Sequence, residues 1–162
     1  MATKYYSGTF NAPWGTSLLW ISWGVTAGFV LTILVTWMKA GPAAWLVTVI
    51  FSATLFITAL FTVKGYELKD QTLYIQRLFW KSKVDLSHLE SAEVAPDVFK
   101  KAFKTMGNGG LFSFSGYFWS RSTGKFRCYV TDVKRSVVLV IDGKKIVVSP
   151  DSPEGFVRAL KV

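Results

Sequence analysis

His88 is the single histidine and Cys128 the single cysteine of this 162-residue sequence, so any side-chain chemistry must start from very few groups. A hydroxyl–imidazole–carboxylate relay needs an imidazole held between its two partners. His88 lies in Asp85-Leu86-Ser87-His88-Leu89-Glu90, which reads as a turn and specifies no such geometry. Cys128 alternates with Phe126 and Val130 and reads as a packed thiol in a strand, not as an activated nucleophile. One His and one Cys cannot build a His/Cys zinc site, and one Cys cannot close an internal disulfide. Gly107-Asn108-Gly109-Gly110 is glycine-rich but lacks the Lys-Ser/Thr ending of a nucleotide-phosphate loop. The expectation is a protein without catalysis, metal or cofactor.

Binding chemistry is better represented. The segment Gly107–Trp119 begins in glycines and ends in aromatics, and Lys100, Lys101, Lys104, Arg121, Lys125 and Arg127 flank it. Phe112, Phe114, Tyr117, Phe118 and Trp119 could insert at a membrane interface while the cations meet phosphates. The opposing reading is a strand whose aromatics fill a core and whose charges form a solvated face. The spacing of Phe112, Phe114 and Gly116 fits that reading for about half of the aromatics.

Two zones of different character must position these residues. The first 63 residues hold only Lys4 and Lys39 of the 19 Lys and Arg, and none of the 10 Asp and Glu. Within them Leu18–Met38 and Ala43–Val63 are uncharged apolar runs, each long enough to cross a bilayer core of about 30 Å as a helix. Only Lys39-Ala40-Gly41-Pro42 separates them, which predicts an antiparallel transmembrane hairpin. Trp14, Trp20, Trp23, Trp37 and Trp45 cluster toward the expected interfaces. A cleaved signal peptide is disfavoured, because the first run is long and no small-residue cleavage site follows it. A buried soluble hairpin is disfavoured by two uninterrupted runs. Lys39 stands alone at the hairpin loop, against Lys4, Lys64, Lys69, Arg77, Lys81 and Lys83 on the other side. The positive-inside rule then puts both termini in the cytoplasm of a cell whose inner membrane holds the protein. Gly24 and Gly28 on one helix, and Thr54, Thr58 and Thr62 on the other, are candidate packing positions, either within the hairpin or between copies.

The expected layout is a tail over 1–17, the hairpin over 18–63 and one basic domain over 64–162. The domain follows the second span without a linker. Leu73 to Trp80 reads as a strand, with shorter ones near Val84–Leu86 and Ala92–Val94. Asp97 could cap a short helix to Lys104, with Val98, Phe99, Ala102 and Phe103 on one face and Lys100, Lys101 and Lys104 on the other. Phe126–Thr131 is a further strand. Val137–Ile141, the turn Asp142-Gly143 and Ile146–Val148 form a hairpin. Asp151 or Ser152 starts a last helix with Pro153 in its first turn and Phe156, Val157 and Leu160 on its apolar stripe.

Gly107-Asn108-Gly109-Gly110-Leu111-Phe112, Gly116-Tyr117-Phe118, Tyr129 and the ending Val147-Val148-Ser149-Pro150 with Pro153, Phe156, Val157 and Leu160 carry a resemblance. With two apolar spans ahead of a domain of this size, the chain resembles small bacterial membrane proteins that bear a bacterial PH-like domain. The resemblance covers 64–162, and the hairpin by layout only. It implies an α+β fold: an antiparallel β-sandwich or partial barrel with a C-terminal capping helix. The Asp97–Lys104 helix and the glycine/aromatic stretch would be insertions in that fold.

A net charge of +9 beside apolar helices reads as a domain facing anionic lipid, and the anchor disfavours nucleic acid. Two roles follow. One is a non-enzymatic module docking on anionic headgroups or partner proteins. The other is a scaffold that forms homo-oligomers, or assembles with other membrane proteins, through the hairpin and sheet edges.

Overall fold

The structure is a computed structural model and describes residues 6–160. Lys4 lies outside the described residues. The chain runs β1 (Tyr6–Asn11), α1 (Thr16–Ala40), a single 3-10 turn over Gly41–Ala43, and α2 (Ala44–Leu60). Nine further strands and a C-terminal helix follow among the described residues: β2 (Gly65–Asp70), β3 (Thr72–Gln76), β4 (Lys81–Asp85), β5 (Leu89–Val94), β6 (Phe103–Gly109), β7 (Phe114–Ser120), β8 (Gly124–Val130), β9 (Val137–Ile141), β10 (Lys144–Val148) and α3 (Pro153–Leu160).

Four strands form an antiparallel sheet in the order β1-β2-β3-β4, and six form a second in the order β5-β9-β10-β8-β7-β6. The second sheet departs from the expected antiparallel pattern at one place, where β10 runs parallel to β8. The tight Asp142-Gly143 turn folds β10 back onto β9, and β10's free edge then meets β8 in the same direction. Both turn residues have positive φ, as an Asp-Gly hairpin requires.

Alternation within the strands divides the apolar side chains between two cores. Tyr66, Leu68, Leu73, Ile75 and Val84 of the first sheet meet Leu139, Val148 and Tyr129 of the second, and Phe156, Val157 and Leu160 of α3 close that core. The α3 stripe therefore does what its spacing predicts. On the other face of the six-stranded sheet, Phe114, Phe118, Phe126, Cys128 and Val147 pack with Val98 and with Leu18 of α1.

Three expectations are corrected. The segment read as a tail carries β1, which pairs with β2 from Tyr6↔Asp70 to Asn11↔Gly65, so the sheet begins ahead of the first apolar helix. The helix expected from Asp97 to Lys104 is a run of turns. Its amides reach back only three residues, Lys101 takes φ +54, and Phe103 already starts β6. An eight-residue segment has little helical stability of its own, and the demand of the second core for Val98 and of β7 for a partner strand prevails. Gly107-Asn108-Gly109, expected to open a glycine/aromatic insertion, lies inside β6. Gly107 and Gly116 face each other across β6 and β7 with φ of +109 and +137, and a Cβ on either would sit 2.4 or 2.2 Å from the opposite backbone carbonyl oxygen. Only glycine permits that approach.

α1 is long and apolar enough to cross a membrane, while α2, at 17 residues, is a shorter apolar helix. The two are joined through Gly41, at φ +52, and Pro42. Phe29 stacks on Phe51 at 4.3 Å, and the Trp37 indole donates to the Thr48 hydroxyl at 3.0 Å. Gly24 and Gly28 do not share in this contact, since a Cβ built at either meets nothing within 4 Å. Thr54 and Thr58 donate to carbonyls of their own helix, at Ile50 and Thr54, and not across to α1.

Candidate functional site

Tyr129, Arg127 and Lys125 point to one face of β8, because Phe126, Cys128 and Val130 between them point to the second core. Cross-strand pairing sets Tyr117 of β7 opposite Arg127. The result is a ladder of alternating cations and rings. The Arg77 guanidinium lies 5.4 Å from the Tyr129 ring, and Arg127 lies 5.0 Å from the same ring. Arg127 is also 5.7 Å from the Tyr117 ring, which Lys125 approaches to 5.2 Å. Each contact is a cation over a π face.

The ladder's outer half opens into a groove of about 510 Å³ lined by Tyr117, Lys125, Arg127, Lys144, Lys145 and the Gly143 turn. A second hollow of about 240 Å³ continues it toward Lys83, Asp85, His88 and Asp142, sharing Arg127 and Lys144. Cations dominate the lining. Lys145 is anchored to the Thr123 carbonyl at 2.7 Å, and the acids are Asp85 and Asp142. The Ser87 amide hydrogen-bonds the Asp85 carboxylate and holds it below its ordinary range, so that acid stays ionised and occupied by its own turn. His88 lies 3.9 Å from Asp142, with both side chains well exposed. Among the described residues no hydroxyl or thiol hydrogen-bonds the imidazole, and the Cys128 thiol is buried, donates to the Phe114 carbonyl, and is pushed up by desolvation. Among the described residues no three His, Cys, Asp or Glu converge as a metal site. The chemistry on offer is the capture of an anionic group between guanidinium, ammonium and phenol.

The ladder's inner end is different. Arg77 is 9% exposed, donates to the Ser82 hydroxyl at 3.2 Å and to the Phe61 carbonyl just past α2, and lies within 5.5 and 6.0 Å of the Phe61 and Trp80 rings. Burial pulls its ionisation below the usual arginine range. Ser113 also donates to the Phe61 carbonyl, at 3.2 Å. On α1, the Ser22 hydroxyl accepts from the Phe112 amide at 3.0 Å. Both helices are thus tied to the β-domain by specific hydrogen bonds at the loop Gly110–Ser113, which Asn108 shapes by bonding Gly110, Leu111 and its carbonyl.

Of the residues singled out in the sequence, Lys125 and Arg127 fall in the groove. Lys100 pairs with Asp97 at 3.0 Å, and with Lys101 it belongs to the segment covering the second core, on the opposite face of the sheet from Arg127. Lys104, on β6, extends over Gly109. Phe114 and Phe118 are buried in the second core, which fits the core-strand reading of this segment and not the membrane-inserting one. Phe112 sits in the helix-proximal loop, 6.1 Å from Trp14. Trp119 is half-exposed and lies against Phe103 at 5.2 Å, and Arg121 is exposed in the turn after β7. Sequence reasoning missed Arg77, Lys144 and Lys145. The alternation Lys125-x-Arg127-x-Tyr129 signalled half of the ladder, while its other members come from strands whose register no local pattern announces.

No curated protein and no solved structure matches the chain. Residues 64–162 match the family model of the bacterial PH domain. PH domains are typically non-catalytic modules that bind lipids or proteins. The match covers β2 to β10 and α3, more than half of the chain, and on that ground the chain belongs to the bacterial PH-domain family.

Proposed function

We propose that the protein is a membrane-anchored, non-enzymatic docking module that holds an acidic segment of a partner protein near the cytoplasmic face of the cell membrane. The basic groove at Lys125, Arg127 and Lys144 carries this reading. Anchoring is supported by side chains that need an apolar solvent: Trp20 is 76% exposed, Trp23 70%, Phe56 64% and Met38 86%. The β1–β2 pairing supports two crossings. A single crossing by α1 would put paired strands on opposite sides of the bilayer, so the helices cross together or not at all. The lone cation at the hairpin loop, Lys39, against the basic domain argues for cytoplasmic termini.

A protein ligand is favoured over a headgroup by distance. β2 and β4 run away from the helix junction, and β8 and β10 run toward it, so the groove lies at the far ends of the strands. Lys125 is four residues from Tyr129, or about 13 Å at ~3.3 Å per residue. A headgroup layer is only about 5–8 Å deep.

The test uses the full chain in zwitterionic nanodiscs and a fluorescent oligoglutamate peptide read by anisotropy. The triple variant Lys125→Glu, Arg127→Glu, Lys144→Glu should weaken binding roughly tenfold or more, and added salt should do the same. Lys100→Glu, Lys101→Glu, Lys104→Glu should leave it intact. Equal loss in both variants would refute the groove, and displacement of peptide by anionic lipid in the disc would transfer the site to headgroups. A second reading, self-association, is favoured by the open face at Gly24 and Gly28. A dimer mass in detergent that Gly28→Leu abolishes would establish it.

A further inference from the structure

We infer that the turn Leu78-Phe79-Trp80, between β3 and β4, is a lipid wedge that enters the headgroup–acyl boundary of the bilayer. The inference rests on the proposed crossing of that bilayer by α1 and α2. Three consecutive large apolar side chains are exposed to different degrees at this hairpin tip: Leu78 is 38% exposed, Phe79 74% and Trp80 38%. Water is a poor solvent for such a patch. The turn is closed by the Arg77 amide donating to the Trp80 carbonyl at 2.9 Å, so the residues are presented on a fixed frame. Its height is set by α2. The Trp80 ring meets the Phe61 ring edge-on at 5.2 Å, and Phe61 is the first residue beyond the helix end. The Arg77 side chain caps the same place through the Phe61 carbonyl. The tip is therefore continuous with the apolar surface of α2, and exposed Lys64 flanks it where phosphates would lie, beside Lys81, which is paired with Glu67 at 2.6 Å. That pattern, apolar and aromatic tip with a cationic rim, suits lipid and not a second copy of this chain, whose matching face would bring like charges together. A wedge of this kind would stop the domain from tilting and hold the basic groove away from the bilayer.

The test places an environment-sensitive fluorophore at Phe79→Cys in the full-length protein reconstituted into vesicles carrying nitroxide lipids spin-labelled near the top of the acyl chain. Cys128 is buried, and the unmodified protein serves as the labelling control. Probes at Phe56→Cys in α2 and Ser87→Cys at the far end bracket the measurement. The expected result is quenching at position 79 about threefold or more above that at 87, as a depth of ~5–10 Å requires. Quenching at 79 equal to that at 87, while 56 is strongly quenched, overturns the wedge and leaves the anchor standing. A probe at 79 that is shielded from water yet unquenched by lipid also overturns it, in favour of a protein contact. No quenching at 56 removes the anchor, and the wedge with it.

Discussion

Replacing Arg77 tests how the helices and the domain are joined. The guanidinium has no carboxylate partner among the described residues. Its charge is met by the Phe61 carbonyl, the Ser82 hydroxyl and three aromatic faces. Arg77→Met keeps most of the bulk and removes the cation. A hydrogen bond from a charged donor contributes about 1.5–3 kcal/mol, and each ring contact about 0.5–1 kcal/mol. Against this, the variant no longer buries an ion, which returns part of the loss. A net cost of about 2–3 kcal/mol remains, and Arg77→Ala should cost about 1 kcal/mol more through the lost stem. In a body of this size that corresponds to a fall in Tm of roughly 10 °C, read by tryptophan fluorescence of the detergent-solubilised protein. Hydrogen exchange should accelerate first at residues 61–64 and 77–82, the two sides of the joint. If Arg77→Met melts within about 2 °C of the parent with unchanged exchange there, the guanidinium does not hold the joint and the reasoning fails.

Tyr66 donates to the Tyr129 carbonyl at 2.5 Å and accepts from the Ser149 amide at 3.0 Å. Tyr66→Phe should cost about 1–3 kcal/mol by leaving both backbone groups unpaired. Burial pushes the phenol up from 10.0 to about 12, so its contribution is complete below pH 10 and is lost as pH rises toward 12. Denaturant titrations should therefore show the gap between parent and Tyr66→Phe narrowing over that window, and a gap that widens would contradict the burial argument. Gly116→Ala should cost more than ~2 kcal/mol, because its Cβ meets backbone and its φ is positive, whereas Gly24→Ala, in open space, should change Tm by no more than a degree or two.

Elements with a strong local signal were legible in the sequence. The Asp142-Gly143 hairpin and α3 follow from turn chemistry and from a 3.6-residue stripe. The apolar helices follow from composition, although the second span's last residues leave the helix at Phe61 because they must turn into β2. β1 was not legible: Tyr-Ser-Gly-Thr-Phe-Asn is short and mostly polar, and becomes a strand only because β2 offers an edge. The 97–104 segment misled because Val98 and Phe99 do face one core, as a helix stripe would, but from a run of turns. The candidate site was half visible for a similar reason. Lys125 and Arg127 announce themselves by alternation, whereas Lys144 reaches the groove because β10 skips past β9 to pair in parallel with β8, a register no local pattern announces.

The pairing of β1 with β2 has a bearing on biosynthesis. Asn11 and Gly65 are register partners, yet both helices are made between them. The first strand leaves the ribosome long before its neighbour and must wait, unpaired, until both helices between them have been made. Closing a loop of that length adds only slowly growing entropy, but it cannot begin until the second helix has come back. The sheet edge thus completes late, only once both helices have been made and folded back. A chain whose helices fail to fold back would keep an open edge on β2, a surface prone to pairing with other chains.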